Sequence, residues 1–210
     1  MLPARIPTRA PAIPEARLSV AISGSGPTAV ERSDEVLARR GALGEREAFG
    51  ELIRRHGPAL YRYGVRMLDG QHHAAEDALQ EALIKAWLHL SGFRGDSSVK
   101  TWLFRLMANQ CLDARRRRRP QSVGDARLAE LPADDTTAAD ALVQARELRE
   151  ALDVALAELS WRQRASWMLR EVEGLDYTEI AVVLDTSVAV VRGQLHRARA
   201  NLAARMEMWR

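Results

Sequence analysis

A single cysteine, Cys111, stands in the 210-residue chain, which excludes an internal disulfide and any zinc centre assembled from several cysteines. Its apolar surroundings on a predicted helix suit a small packed side chain better than a redox sensor. Aromatic residues are scarce at 5%, so the apolar total of 47% rests largely on Ala and Leu. β-Branched residues are sparse outside a few short stretches. Such a mixture loses little entropy in helices and favours an all-α fold. No apolar run approaches the roughly 18 residues of a membrane span, so no membrane insertion is expected. A phosphate-cradling glycine loop and a nucleophile motif are both missing, which argues against an enzyme. His72, His73 and Glu76 could be imagined as metal ligands, but they sit by a Gly-containing turn with no His-rich partner elsewhere. No catalytic residue, metal or cofactor is therefore expected.

What is present is charge, unevenly placed. The formal net charge is +3 and the sequence pI about 9.5, but segregation matters more than the sum. Basic residues gather at Arg115–Arg119 and at Arg192, Arg197 and Arg199; acidic ones at Glu76, Asp77 and Glu81, and at Asp125, Glu130, Asp134, Asp135 and Asp140. Separate basic surfaces suit a polyanion, and a separate acidic surface suits a basic protein partner. Arginine runs can equally be solvated faces. The first residues carry Pro3, Pro7, Pro11, Pro14, Pro27 and the Ser23–Gly26 run, so residues 1–32 read as a disordered extension. A transit peptide and a start codon assigned too early are the competing readings.

Ordered structure is expected from Ser33-Asp34-Glu35, a helix-entry signal. A second helix is predicted from Glu45 to about Leu68, interrupted at Gly57-Pro58. After the Asp69-Gly70 turn, Leu79, Ala82, Leu83, Ala86, Trp87 and Leu90 recur at helical spacing, leaving Asp77, Gln80, Glu81, Ile84 and Lys85 on other faces. A further helix is predicted over about Lys100–Arg117, with Leu103, Leu106, Met107 and Cys111 inward. Trp102, Arg105, Asn109, Asp113 and Arg116 share a neighbouring face. Pro120 closes it, and residues 120–140 read as an acidic flexible linker between two small helical domains, 33–119 and 141–210. The second reads as four helices. Its third is headed by Asp176-Tyr177-Thr178-Glu179 at capping-box spacing, and its last by Ser187, together forming a helix-turn-helix pattern.

Two constellations carry chemistry. The last helix pairs an apolar side (Val191, Leu195, Ala198, Leu202) with Arg192, Gln194, His196, Arg197, Arg199 and Asn201 on its other faces. Arg can pair with guanine edges or phosphate, and Gln with adenine, in a DNA major groove. A solvated amphipathic helix is the plainer reading. In the first domain Phe93, Trp102, Phe104 and Asn109 form an expected platform beside the Arg115–Arg119 run. Aromatic faces and cations together hold single-stranded nucleic acid. For Trp102 or Phe104 taken alone, a core position is the favoured reading.

The stretch from Ala75 to Trp87 resembles the core-polymerase-binding helix of sigma-70-type factors. Phe93–Ser97, Thr101–Arg105 and Asn109–Asp113 are similar to the promoter-melting, −10-reading segment of the extracytoplasmic-function subgroup. Leu175–Ala181 and Val191–Arg199 resemble its −35-reading helix-turn-helix. The resemblance runs from about Asp34 to Leu202, with three motifs in the family's order and spacing.

It implies an alternative bacterial sigma factor, cytoplasmic, with three kinds of partner: RNA polymerase core (the β′ clamp helices and β flap), promoter DNA and an anti-sigma factor. Asp77, Gln80, Glu81, Ile84 and Lys85 would bind the core. Phe93, Arg94, Ser97, Trp102, Arg105, Asn109, Asp113 and Arg116 would read and melt the −10 element, with Asn109 helping to hold a flipped base. Ser187, Arg192, Gln194, His196, Arg197 and Arg199 would face the −35 element. Where the family commonly has Gly-Thr, then Ser and a second basic residue, this chain has Ala189-Val190, then Gly193 and Gln194. Its −35 sequence is therefore not transferable from relatives. A helix-turn-helix regulator that binds operators unaided is the alternative; it leaves the Phe93–Arg119 segment without a purpose.

Overall fold

The computed structural model describes residues 33–117 and 139–207, with backbone alone for 139–145. The extension expected at 1–32 and nearly all of the expected linker lie outside the described residues. Regular structure among them is entirely helical. The first group comprises α1 (Asp34–Ala42), α2 (Arg46–Met67), α3 (His72–His89) with a 3-10 turn at Leu90–Gly92, and α4 (Val99–Arg117). The second comprises α5 (Ala139–Glu158), α6 (Trp161–Trp167) running into a π-helical turn at Met168–Val172, α7 (Tyr177–Val183) and α8 (Val188–Arg205).

Local chemistry sets several helix starts. The Ser33 side chain accepts from the Val36 N–H and opens α1, satisfying a donor that a free helix end leaves unpaired. Asp176 and Glu179 form the expected capping box at α7. Ser187 accepts from the Val190 N–H and opens α8. Ser160 and Gln163 form a second capping box at α6, which the sequence reading did not single out.

The first core is built around small residues. Ala75, Ala78, Ala82 and Ala86 form the buried side of α3, which lies between α2 and α4. A β-carbon on Gly64 of α2 would overlap the Met107 methyl of α4, while standing at an ordinary contact distance of 3.5 Å from the Ala75 Cβ. Leu79, Leu83 and Trp87 are only half-buried around this contact. The predicted interruption at Gly57-Pro58 does not occur: α2 is one helix of 22 residues with Pro58 inside it. Proline disfavours helix in the preceding residue through a clash with that residue's Cβ. Gly57 has none, and the apolar side carrying Leu52, Leu60, Tyr63 and Val65 stays buried through the proline turn. Packing overrides the local signal.

Phe104 takes the core position. It is fully buried and sits edge-on to Tyr63 at 5.6 Å between ring centroids, so it belongs to the core and not to an exposed platform. Leu103, Met107 and Cys111 are buried as expected, whereas Leu106 is half-buried.

The two groups touch. The Thr101 hydroxyl of α4 donates to Glu179 of α7 at 2.7 Å, and Lys100 donates to the Glu173 carbonyl oxygen. The buried Arg164 guanidinium donates to the Arg66 carbonyl, the Asp69 carboxylate and the Ala157 carbonyl. Arg66 in turn pairs with Asp153 at 3.2 Å. Each contact has a charged partner, and sequence spacing foretells none of them.

Candidate nucleic-acid and polymerase interfaces

The acidic face of α3 is open. Glu76, Asp77, Gln80 and Glu81 are exposed, with Ile84 and Lys85 half-buried beside them. The alanine side of the helix faces the core, so these residues necessarily point away from it. Among the described residues neither Asp77 nor Glu81 has an ion-pair partner. Exposed Leu88 continues this surface toward the helix end.

The segment after α3 places two aromatic rings together. Phe93 and Trp102 stack at 5.2 Å between centroids, tilted by 44°, and both are half-buried. Gly95, at φ +80°, turns the chain between them, in a backbone region open chiefly to glycine. Arg94 is exposed on this loop and Ser97 half-buried, its hydroxyl donating to the Ser98 carbonyl. Along α4, Arg105, Asn109 and Arg116 are exposed and Asp113 is half-buried, with Arg116 pairing to Asp113 at 3.8 Å. Along α4 the sequence-selected residues therefore share one strip: two rings, then Arg105, the Asn109 amide and the paired Asp113 and Arg116. Arg115 and Arg117 extend its cationic end. Arg105 also lines a cleft shared with Thr178, Val182, Asp185, Ser187 and Val188 of the helix-turn-helix.

In that second unit, α7 and α8 pack through Ile180, Ala181, Val183, Val191 and Leu195. Asp185 takes a left-handed conformation at φ +47° in the turn between them, which an Asp side chain tolerates better than most. The candidate readers then divide by surroundings. The Ser187 hydroxyl is engaged as the cap of α8. The Arg192 guanidinium lies 5.9 Å from the Tyr177 ring centroid, and Arg170 lies 5.2 Å from it. Arg199 donates twice to Glu171, at 2.6 and 3.0 Å, and that carboxylate raises its already high pKa. Gln194 is half-buried, while His196 and Arg197 are exposed. Tyr177 and Glu171 escaped the sequence reading as organisers of these cations. Glu171 lies 28 residues from Arg199 in the chain, beyond any helical spacing rule.

The interior groups are inert by comparison. Burial pushes the Cys111 thiol up to about 12, so it stays protonated at neutral pH and carries no nucleophilic role. His72 hydrogen-bonds the Tyr61 hydroxyl at 2.8 Å, while on the surface Glu76 faces His73 at 3.7 Å.

Comparison with known proteins bears on both units. The Sigma-70 region 2 family model matches residues 52–121, and the Sigma-70, region 4 model matches residues 149–202. RNA polymerase sigma factor CnrH of Cupriavidus metallidurans is 32% identical over 188 residues, covering 84% of this chain and 96% of the relative. The ECF RNA polymerase sigma-E factor of Escherichia coli is 35% identical, covering 80% of this chain and 91% of the relative. A solved structure of CnrH in complex with the cytosolic domain of CnrY aligns at a TM-score of 0.63 and 30% identity over 83% of this chain and 97% of that one. Matches to both sigma regions, in order, with relatives spanned almost end to end, place the chain in the sigma-70 family of RNA polymerase sigma factors, among its extracytoplasmic-function members.

Proposed function

We propose that this sigma factor joins RNA polymerase core and directs promoter-specific initiation through three surfaces. The α3 face of Asp77, Gln80 and Glu81, flanked by Ile84 and Lys85, docks on the β′ clamp helices. Exposed carboxylates around a partly apolar strip suit a basic helical partner and steer its approach. The Phe93–Trp102 pair with Arg94, Ser97, Arg105, Asn109, Asp113 and Arg116 takes the −10 element. Flipping a base costs a few kcal/mol, which stacking and hydrogen bonds in a pocket offset. Helix α8 enters the major groove of the −35 element, and its unit also meets the β flap. The chain itself performs no catalysis, and works in the bacterial cytoplasm where polymerase acts.

The observation that carries this reading is the division of polar surface. One helical unit bears an acidic face and an aromatic–cationic strip, and the other bears a capped helix-turn-helix with cations along its second helix. By their names the two elements lie about 25 base pairs apart, or about 85 Å of duplex at 3.4 Å per step. The Thr101–Glu179 and Lys100–Glu173 contacts are therefore given up when both elements are held. CnrH is solved with the cytosolic domain of CnrY, and an anti-sigma protein covering the α3 and α4 surfaces is proposed here. Reversing charge at Asp77 and Glu81 to Lys abolishes capture by polymerase core in a pull-down; undiminished capture removes α3 as the docking face.

A further inference from the structure

The outward ridge of α8 is nearly bare. Val191, Leu195, Ala198 and Leu202 form its buried side. At the helical repeat the opposite side then carries Ala189, Gly193 and Ala200, with His196 and Arg197 flanking them. The other long cations are engaged: Arg192 over Tyr177 and Arg199 on Glu171. Arg197 is exposed, and among the described residues it pairs with no carboxylate. Its guanidinium lies over Gly193 instead. Both terminal nitrogens stand 3.6 Å, and the central carbon 3.9 Å, from where a β-carbon on Gly193 would be. Helical side chains lean toward the N-terminus and cover the preceding turn, so position 193 is the seat that Arg197 naturally seeks.

The distance decides what that seat tolerates. A β-carbon at 3.6 Å makes ordinary van der Waals contact, so alanine fits beneath the guanidinium. A γ-carbon reaches about 1.5 Å farther and overlaps the space the guanidinium fills, forcing Arg197 to another rotamer. Among base edges a guanidinium fits the paired O6 and N7 acceptors of guanine. We infer that Gly193 is a specificity-determining position: its missing side chain seats Arg197 across the outward ridge of α8 and so sets which guanine of the −35 element Arg197 meets. The inference rests on α8 reading that element.

Holoenzyme reconstituted from core and the full chain is assayed for initiation on promoters randomised across the −35 element, comparing wild type with Gly193→Ala, Gly193→Leu, Arg197→Ala and the Gly193→Leu/Arg197→Ala double variant. Arg197→Ala lowers the preference for guanine at one position by between about fivefold and a hundredfold. Gly193→Leu loses preference at that same position, and adding it to Arg197→Ala changes the profile no further. Gly193→Ala keeps the guanine preference while raising the melting temperature. Gly193→Met replaces the leucine variant should that one fail to assemble with core. A Gly193→Leu profile like wild type, or one altered equally with Arg197 absent, overturns the seat. Uniform loss on every −35 sequence from Arg197→Ala would make Arg197 a phosphate contact and overturn the seat, whereas a wild-type profile with no preference anywhere across the −35 element would remove α8 as the reader.

Discussion

Glu179 serves two structures at once, which makes its removal a quantitative test. One carboxylate oxygen accepts from the Asp176 N–H at 2.9 Å and completes the capping box; the other accepts from the Thr101 hydroxyl of the first unit at 2.7 Å. Asp176 serves only the cap, accepting from the Glu179 N–H at 2.8 Å. Replacing an N-cap Asp by Ala costs about 1 kcal/mol. α7 has only seven residues, too few to hold itself, so that loss reaches the whole unit. Glu179→Ala loses the reciprocal half of the cap, worth up to about 1 kcal/mol, and also a hydrogen bond to a charged acceptor, worth about 1.5 kcal/mol or more. The lower figure applies because Ser98 lies 2.7 Å from the Thr101 hydroxyl and can accept its proton instead. Urea unfolding of the full chain, followed by circular dichroism, should therefore rank Glu179→Ala as more destabilising than Asp176→Ala by about 0.5–1.5 kcal/mol. In a Thr101→Val background the excess should shrink to what the longer Ser98 hydroxyl contact to the same oxygen, at 3.4 Å, retains. Equal losses for Glu179→Ala and Asp176→Ala in the wild-type background would refute the α4–α7 contact, while leaving the capping box standing.

Further perturbations probe other parts of the molecule. The Cys111 thiol is held up to about 12 while an unfolded thiol ionises near 9, so the native state retains a proton that the unfolded state loses. Stability therefore falls as pH rises through 9, by about 1.4 kcal/mol at pH 10, and Cys111→Ala should lack this component in pH-dependent unfolding. Phe104→Ala should cost about 3–5 kcal/mol in urea unfolding, whereas Phe93→Ala should spare folding and reduce promoter opening measured by permanganate reactivity. Changing exposed Arg115, Arg116 and Arg117 to Gln should flatten the logarithmic salt dependence of holoenzyme–promoter binding by up to about 2.7, or about 0.9 for each phosphate no longer neutralised; an unchanged slope would take that run off the DNA.

The parts of the fold legible in the sequence are those whose causes are local. Ser33, Asp176 and Ser187 announce helix starts because a cap needs only its own next three residues, and the apolar period of α8 picks out Val191, Leu195, Ala198 and Leu202 as its buried side. Pro58 misled because its tolerance depends on the missing Cβ of Gly57 and on burial supplied by other helices. Phe104 stood between core and platform because an aromatic beside cations carries the same local pattern whether it faces water or Tyr63. The Arg164 contacts to Arg66 and Asp69 depend on residues far apart in the chain. At the candidate −35 surface, sequence spacing correctly placed the cations outside the core. It could not tell that Tyr177 and Glu171 occupy two of them and leave Arg197 over Gly193.

The most direct test is run-off transcription with purified polymerase core lacking any specificity subunit, on templates taken from start sites that appear when this chain is overproduced. Adding the chain should yield transcripts of one defined length that disappear when either promoter element is scrambled. Core that remains inactive on those templates, or transcripts of the same length from scrambled promoters, would contradict the account.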